Sequence, residues 1–227
     1  MIVWPPAASP GATNSESWWC TMTSLDTVRR TFTDWAPYYD ATHLWIPYRR
    51  ESRLALGIQR GDRVLDLACG TGANLAHLRE LVGDEGQVVG VDLTPAMLEV
   101  ARKRIARHGW KNVQVYEADA AQLPFADGSF DKAICAFALN IIPDYKRAIA
   151  EVERVLVPGG RFVVLDLRAG HNVSEHRSKR SLVLRAMRIC AIDPTHQAID
   201  ELRRVFATVQ VREHRAGLAY VAVITKA

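Results

Sequence analysis

Apolar positions along this chain follow two periods that take turns. From residue 63 onward, short continuous apolar runs are followed by stretches in which apolar residues recur at i, i+3 and i+4. The runs predict strands at 63–67, 88–91, 113–116, 130–137 and 161–167. The periodic stretches predict helices between them. Leu75, Leu78, Leu81 and Val82 share one face of a helix at 73–82. Met97, Leu98, Ala101 and Ile105 do so in a helix that Thr94 caps and Pro95 opens. Ile149, Val152, Val155 and Leu156 do so after Asp144, before a Pro158-Gly159-Gly160 turn. Strands joined by helices at this spacing form a parallel sheet with right-handed crossovers. The expectation is therefore an α/β, Rossmann-like, seven-stranded, mostly parallel sheet with helices on both faces. A helix at 198–206 and strands at 209–211 and 218–224 close it.

The N-terminal part reads differently. Residues 1–22 hold no period and are rich in Pro, Ala, Ser, Gly and Asn, the composition of a disordered tail. Met22 stands directly before the first periodic segment, as an alternative start. Ser24 caps a predicted helix at 25–36 with Leu25, Val28, Phe32 and Trp35 on one face, and Pro37 stops it. A second amphipathic stretch runs through Leu44, Tyr48, Leu54 and Leu56. Five of the six tryptophans precede residue 46. The segment 23–60 is thus expected as a helical lid over a core domain at 61–227, which carries a substrate-side insertion at 168–197.

Length and charge narrow the class. The 227 residues, 48% of them hydrophobic, suffice for one α/β domain. No run approaches the roughly 20 apolar residues of a membrane span. Cys20, Cys69, Cys135 and Cys190 are scattered and read as small apolar side chains in a reducing, cytoplasmic compartment, not as a metal site. The net charge of +4 is uneven: ten Lys/Arg against five Asp/Glu lie between Arg168 and Arg215. Such a region is either a solvated helix face or a contact for an anionic surface.

The chemistry concentrates at Val64-Leu65-Asp66-Leu67-Ala68-Cys69-Gly70-Thr71-Gly72, a strand running into a glycine-bearing turn. Twenty-one residues after Thr71, the next strand ends in Asp92. Glycines admit a ligand close to the backbone, and an acid at the second strand tip accepts two ribose hydroxyls. The turn lacks the third glycine of a dinucleotide fingerprint. It also lacks the Lys-Ser/Thr of a nucleotide-triphosphate loop. No Asn/Asp-Pro-Pro-Tyr/Phe motif follows the fourth strand, which argues against a nucleic-acid substrate.

With 89–98, 117–131, 137–144 and 154–161, this set resembles the class I S-adenosylmethionine-dependent methyltransferases over residues 28–167. It is nearest to the ubiquinone/menaquinone-biosynthesis C-methyltransferases. The resemblance implies S-adenosyl-L-methionine as cofactor and S-adenosyl-L-homocysteine as product. It implies that Ala68, Gly70, Thr71 and Gly72 face the methionine half, with Asp66 organising that turn and the amino group. Asp92 would take the ribose, Leu93 and Met97 would flank the adenine, and Asp119 and Ala120 would meet its edge. Ala136 occupies a position often serine in the family, and Tyr39 is similar to a lid tyrosine that reaches the methionine carboxylate. No catalytic base stands out. His43, Asp144, His171 and His176 are placed near strand ends or the lid without a supporting partner pattern.

The acceptor is less sharply marked. Leu139-Asn140-Ile141 stands where the quinone-biosynthesis family has a Leu-Arg-Asn run. Trp35-Ala36-Pro37-Tyr38-Tyr39-Asp40, the aromatic lid and the basic region are similar to soluble bacterial phospholipid N-methyltransferases. The expectation is a small-molecule or lipid acceptor, weighted towards a phospholipid amine with peripheral contact to the inner membrane face. C- or O-methylation of a quinone precursor or another small aromatic is the alternative. A cofactor-binding protein without catalysis and an oxidoreductase on a related sheet are further ones.

Overall fold

A computed structural model of the chain describes residues 24–40, 48–167, 196–214 and 217–227. The tail expected at 1–22 and most of the insertion expected at 168–197 lie outside these residues, as do His43, His171 and His176. The strands are β1 (Arg63–Leu67), β2 (Gln87–Asp92), β3 (Val113–Glu117), β4 (Phe130–Ala136), β5 (Leu156–Leu167), β6 (Thr208–His214) and β7 (Ala219–Thr225). They form one seven-stranded sheet in the order β3-β2-β1-β4-β5-β7-β6. The first five are parallel; β7 inserts antiparallel between β5 and β6.

The helices among the described residues are α1 (Leu25–Trp35), α2 (Tyr48–Ala55), α3 (Leu75–Val82), α4 (Pro95–His108), α5 (Tyr145–Val155) and α6 (Ala198–Val205). Alternation along the strands builds two cores. Val64, Val88, Ile134 and Val163 pack with Leu75, Leu78 and Ala101 of α3 and α4. Leu65, Leu67, Cys135 and Val164 pack with Ile149, Val152 and Leu202 of α5 and α6 on the other face. Because both faces of the central strands are covered, β2 and the inner parts of β1, β4 and β5 are largely apolar, which made them legible, whereas the edge strand β3 alternates and is mostly exposed. Local signals set the helix starts. Ser24 accepts the Thr27 N–H at 3.2 Å and Asp144 accepts that of Arg147 at 3.1 Å, each worth about 1 kcal/mol.

The structure departs from expectation at several places. β5 begins at Leu156, so the Pro158-Gly159-Gly160 turn lies within it as a register shift between Phe130 and Lys132 of β4. The backbone beyond β7 holds this irregularity: Gly159 N donates to Lys226 O, and Lys226 N to Gly160 O. β4 stops at Ala136 because Phe137 turns to φ +62°. Leu54, expected inside, is 58% exposed, and α2 buries Ser52 instead. The helix expected from 73 begins at Leu75, because Gly72 still belongs to the turn.

Gly72 has φ +79°, and a Cβ there would lie 2.6 Å from Leu75 Cδ1. Its glycine is required by the seating of α3, not by ligand approach. Gly72→Ala should therefore lower stability by about 1–2 kcal/mol, measured by denaturant unfolding. An unchanged midpoint would contradict this packing role.

Candidate cofactor and acceptor site

The chain runs from β1 to β3 on one side of the sheet and from β4 to β5 on the other. The switch point lies between the carboxyl ends of β1 and β4, where open α/β sheets leave a crevice. A pocket opens there. Ala68, Gly70 and Asp92 form its floor, Leu93, Met97, Asp119 and Ala120 one side, and Ala136, Phe137 and Ala138 the other. Leu25, Val28 and Phe32 of α1, with Tyr39, close it from above. Ile141, Ile142 and Pro143 extend the wall beyond β4.

Asp92 is fixed by backbone donors. Its Oδ2 accepts Gly70 N at 2.8 Å and its Oδ1 accepts Thr94 N at 2.9 Å. Burial pushes its pKa up, and the Thr94 and Gly70 N–H groups oppose that shift. The glycine turn and the carboxylate thus hold each other. Thr94, expected to cap α4 through its side chain, makes no side-chain cap bond; its backbone serves Asp92. Asp119 turns the chain after β3, accepting Ala121 N at 2.9 Å. Tyr39 packs edge-on against Phe32, their centroids 6.0 Å apart. Its Cε1 would stand 3.6 Å from a Cβ on Gly70, so the lid comes down directly on the turn. Burial pushes the Tyr39 hydroxyl up to about 12, which keeps it protonated.

Nine of the twelve sequence-expected residues line this pocket: Tyr39, Ala68, Gly70, Asp92, Leu93, Met97, Asp119, Ala120 and Ala136. Asp66, Thr71 and Gly72 do not. Thr71 is buried and donates to Asp40 at 2.5 Å. Asp66 lies beneath the turn, 1% exposed, where its Oδ1 accepts Asn74 Nδ2 at 3.1 Å. Desolvation pushes its pKa up to about 7.

Several members of the site lie outside the motifs. Arg49, on α2, donates to Asn74 Oδ1 at 3.3 Å, and its Cζ lies 5.1 Å from the centroid of the Phe137 ring. Burial lowers its pKa. A buried arginine on a short basic helix has no periodic signature, because arginine is ordinarily exposed. Asp166 and Asn140 are a second such pair. Asp166 accepts Asn140 N at 3.1 Å and Leu167 N at 2.7 Å, tying the loop after β4 to the end of β5.

The donor set fits the cofactor that the resemblance implies. Asp66 Oδ2 and Arg49 Nε are buried without a hydrogen-bond partner among the described residues. A ligand end carrying both an ammonium and a carboxylate supplies the opposite charge to each. Asp92 suits a diol, and Leu93 with Met97 gives a flat ring an apolar slot. No cluster of metal-ligand type occurs among the described residues. None of their helices is long and apolar enough to cross a membrane.

Comparison with known proteins agrees with this geometry. The methyltransferase domain family matches residues 58–208. A demethylmenaquinone methyltransferase of Listeria monocytogenes serotype 4a is 34% identical over 152 residues, 64% of each chain. A ubiquinone/menaquinone biosynthesis C-methyltransferase, UbiE, of Teredinibacter turnerae is 47% identical over 117 residues, 51% of this chain and 47% of that one. The match thus spans less than two thirds of these relatives. Among solved structures, a SAM-dependent methyltransferase from Aquifex aeolicus aligns with TM-score 0.63 at 19% identity. The alignment covers 83% of this chain and 98% of that one, and shows the shared fold.

Proposed function

We propose, from the premise that the chain belongs to the methyltransferase domain family, that it moves the methyl group of S-adenosylmethionine onto a ring carbon of a quinone precursor or a related small aromatic. The observation that carries this reading is the continuity of the pocket. The cofactor-side floor at Gly70 and Asp92 runs without interruption into an apolar wall of Phe137, Ala138, Ile141 and Ile142. These four side chains are apolar, so an aromatic acceptor lying against them desolvates no charged side chain of the wall itself. The relatives named for quinone precursors support the same acceptor. The phospholipid amine favoured by the basic region has no comparable support, since most of that region lies outside the described residues.

When bound, S-adenosylmethionine supplies a sulfonium-activated methyl group. The residues of this chain supply position and exclusion of water. Asp92 would hold the ribose, Asp119 the adenine edge, and Asp66 with Arg49 the charged amino-acid end. α1 and Tyr39 cover the pocket. Its ionisable lining residues among those described are Tyr39, Asp92 and Asp119. Tyr39 stays protonated, and both aspartates are engaged by backbone N–H groups. None is poised to take a proton, which favours an electron-rich hydroxylated ring: its ring carbon attacks the methyl carbon as the carbon–sulfur bond breaks, and the proton displaced from that carbon is released to solvent as the ring regains aromaticity.

The test supplies cofactor with a deuterated methyl group to demethylated quinols with and without a prenyl chain, and to phosphatidylethanolamine vesicles, with product mass as readout. Label on a quinol ring carbon is the expected result. Label confined to the lipid amine, or absent from every acceptor, would overturn the proposal.

A further inference from the structure

Asp40 is not itself a lining residue of the pocket, yet it makes two short contacts to the elements that form the pocket. Its Oδ1 accepts Thr71 Oγ1 at 2.5 Å, and its Oδ2 accepts Arg104 Nη2 at 2.5 Å. Thr71 belongs to the glycine turn and is 1% exposed. Arg104 belongs to α4, the helix that follows Asp92. One carboxylate therefore joins three segments that are distant in sequence. The residue before it, Tyr39, is the part of the lid that rests on Gly70.

A further lid contact is made by α1. Arg29 of α1 donates to Glu117 at 2.6 Å and to Leu93 O at 3.2 Å, but both charged side chains are nearly half exposed. Exposed pairs contribute about 0–1 kcal/mol. The Asp40 side chain is 43% exposed and that of Arg104 26%, so the difference lies in Thr71: loss of Asp40 leaves a buried threonine hydroxyl without this acceptor as well as Arg104 without this counter-charge.

We propose that Asp40 is a positioning residue that clamps Tyr39 onto the glycine turn through Thr71 and Arg104, and so sets how fast cofactor and product leave the pocket. The inference rests on the pocket assigned under the proposed function. A ligand that approaches the open turn meets the floor first, and the clamp forms afterwards. The contact therefore acts on dissociation and leaves association nearly unchanged.

The test measures binding kinetics of S-adenosylhomocysteine to the full chain by stopped-flow fluorescence. Asp40→Ala should raise the dissociation rate roughly tenfold, with the association rate within about twofold of the parent. Arg104→Ala should give a smaller rise. The double variant should dissociate no faster than Asp40→Ala, since both changes break one clamp. If Asp40→Ala does not fold, Asp40→Asn and Arg104→Ala carry the same comparison. An unchanged dissociation rate, or an effect that falls on association, overturns the proposal. Asp92→Ala serves as the reference: if it loses binding while Asp40→Ala keeps parental kinetics, the clamp fails and the pocket stands. If Asp92→Ala binds normally, the pocket itself is misassigned.

Discussion

Asp92→Ala is expected to weaken S-adenosylmethionine binding by about a hundredfold or more, and methyl transfer with it. Two hydroxyl hydrogen bonds to a buried carboxylate contribute about 1.5–3 kcal/mol each, and the substitution removes both. It also frees Gly70 N and Thr94 N, which the carboxylate holds at 2.8 and 2.9 Å, so the turn loses its anchor along with the ligand. Asp92→Asn separates the two effects. The amide keeps one oxygen for a backbone donor and loses the charge, so its affinity should fall between parent and alanine. Calorimetric titration with S-adenosylhomocysteine checks both variants. Parental affinity in Asp92→Ala would remove the basis for placing the ribose there.

The second large effect concerns pH. Asp66 and Asp166 both have pKa values pushed up by burial to about 7, against an ordinary carboxylate value near 4. In the free protein the folded state holds these protons more tightly than the unfolded state. Their contribution to stability is therefore full below about pH 4 and is lost as pH rises through 7. Cofactor affinity should move the other way. The ammonium group that Asp66 is proposed to hold would favour the ionised carboxylate, so that binding below pH 7 would expel a proton. Affinity should then fall up to about tenfold per unit of pH in the acid range. Asp66→Asn should lower affinity about tenfold at pH 8 and flatten the profile below 7. Titration calorimetry in buffers of different ionisation enthalpy reads the proton released. A parental slope in Asp66→Asn would show that another group carries the pH dependence.

Elements whose cause is local could be read from the sequence. The central strands stood out because burial on both faces makes most of their inner residues apolar. Asp92 stood out because it follows the glycine turn at the spacing of one strand-helix-strand unit. Residues whose place is decided by a distant partner could not be read. Arg49 is inward because Asn74 and Phe137 receive it; on its own helix it looks like solvent-facing charge. Leu54 looks buried by period and is exposed because α2 turns a polar side, Ser52, towards the sheet. Phe137 sits in an apolar run that reads as strand, but its left-handed backbone ends β4 and begins the apolar pocket wall of Phe137, Ala138, Ile141 and Ile142. Asp40 was seen beside Tyr39, yet Thr71 and Arg104 lie 31 and 64 residues further on, beyond any window of periodicity.

The reversed strands at the far side of the sheet reach back to the beginning of the chain. Glu51 of α2 pairs with Arg212 at 2.9 Å and with His214 at 3.1 Å, and Tyr48 stacks on His214 with centroids 4.2 Å apart. Glu51 and Arg212 are 161 residues apart. During synthesis the helix that carries Arg49 leaves the ribosome long before β6 exists to receive it. Contacts of such separation form late. A nascent chain can therefore build the β1–β5 parallel sheet first, and the contacts of α2 with Arg212 and His214 form only when the last hairpin docks.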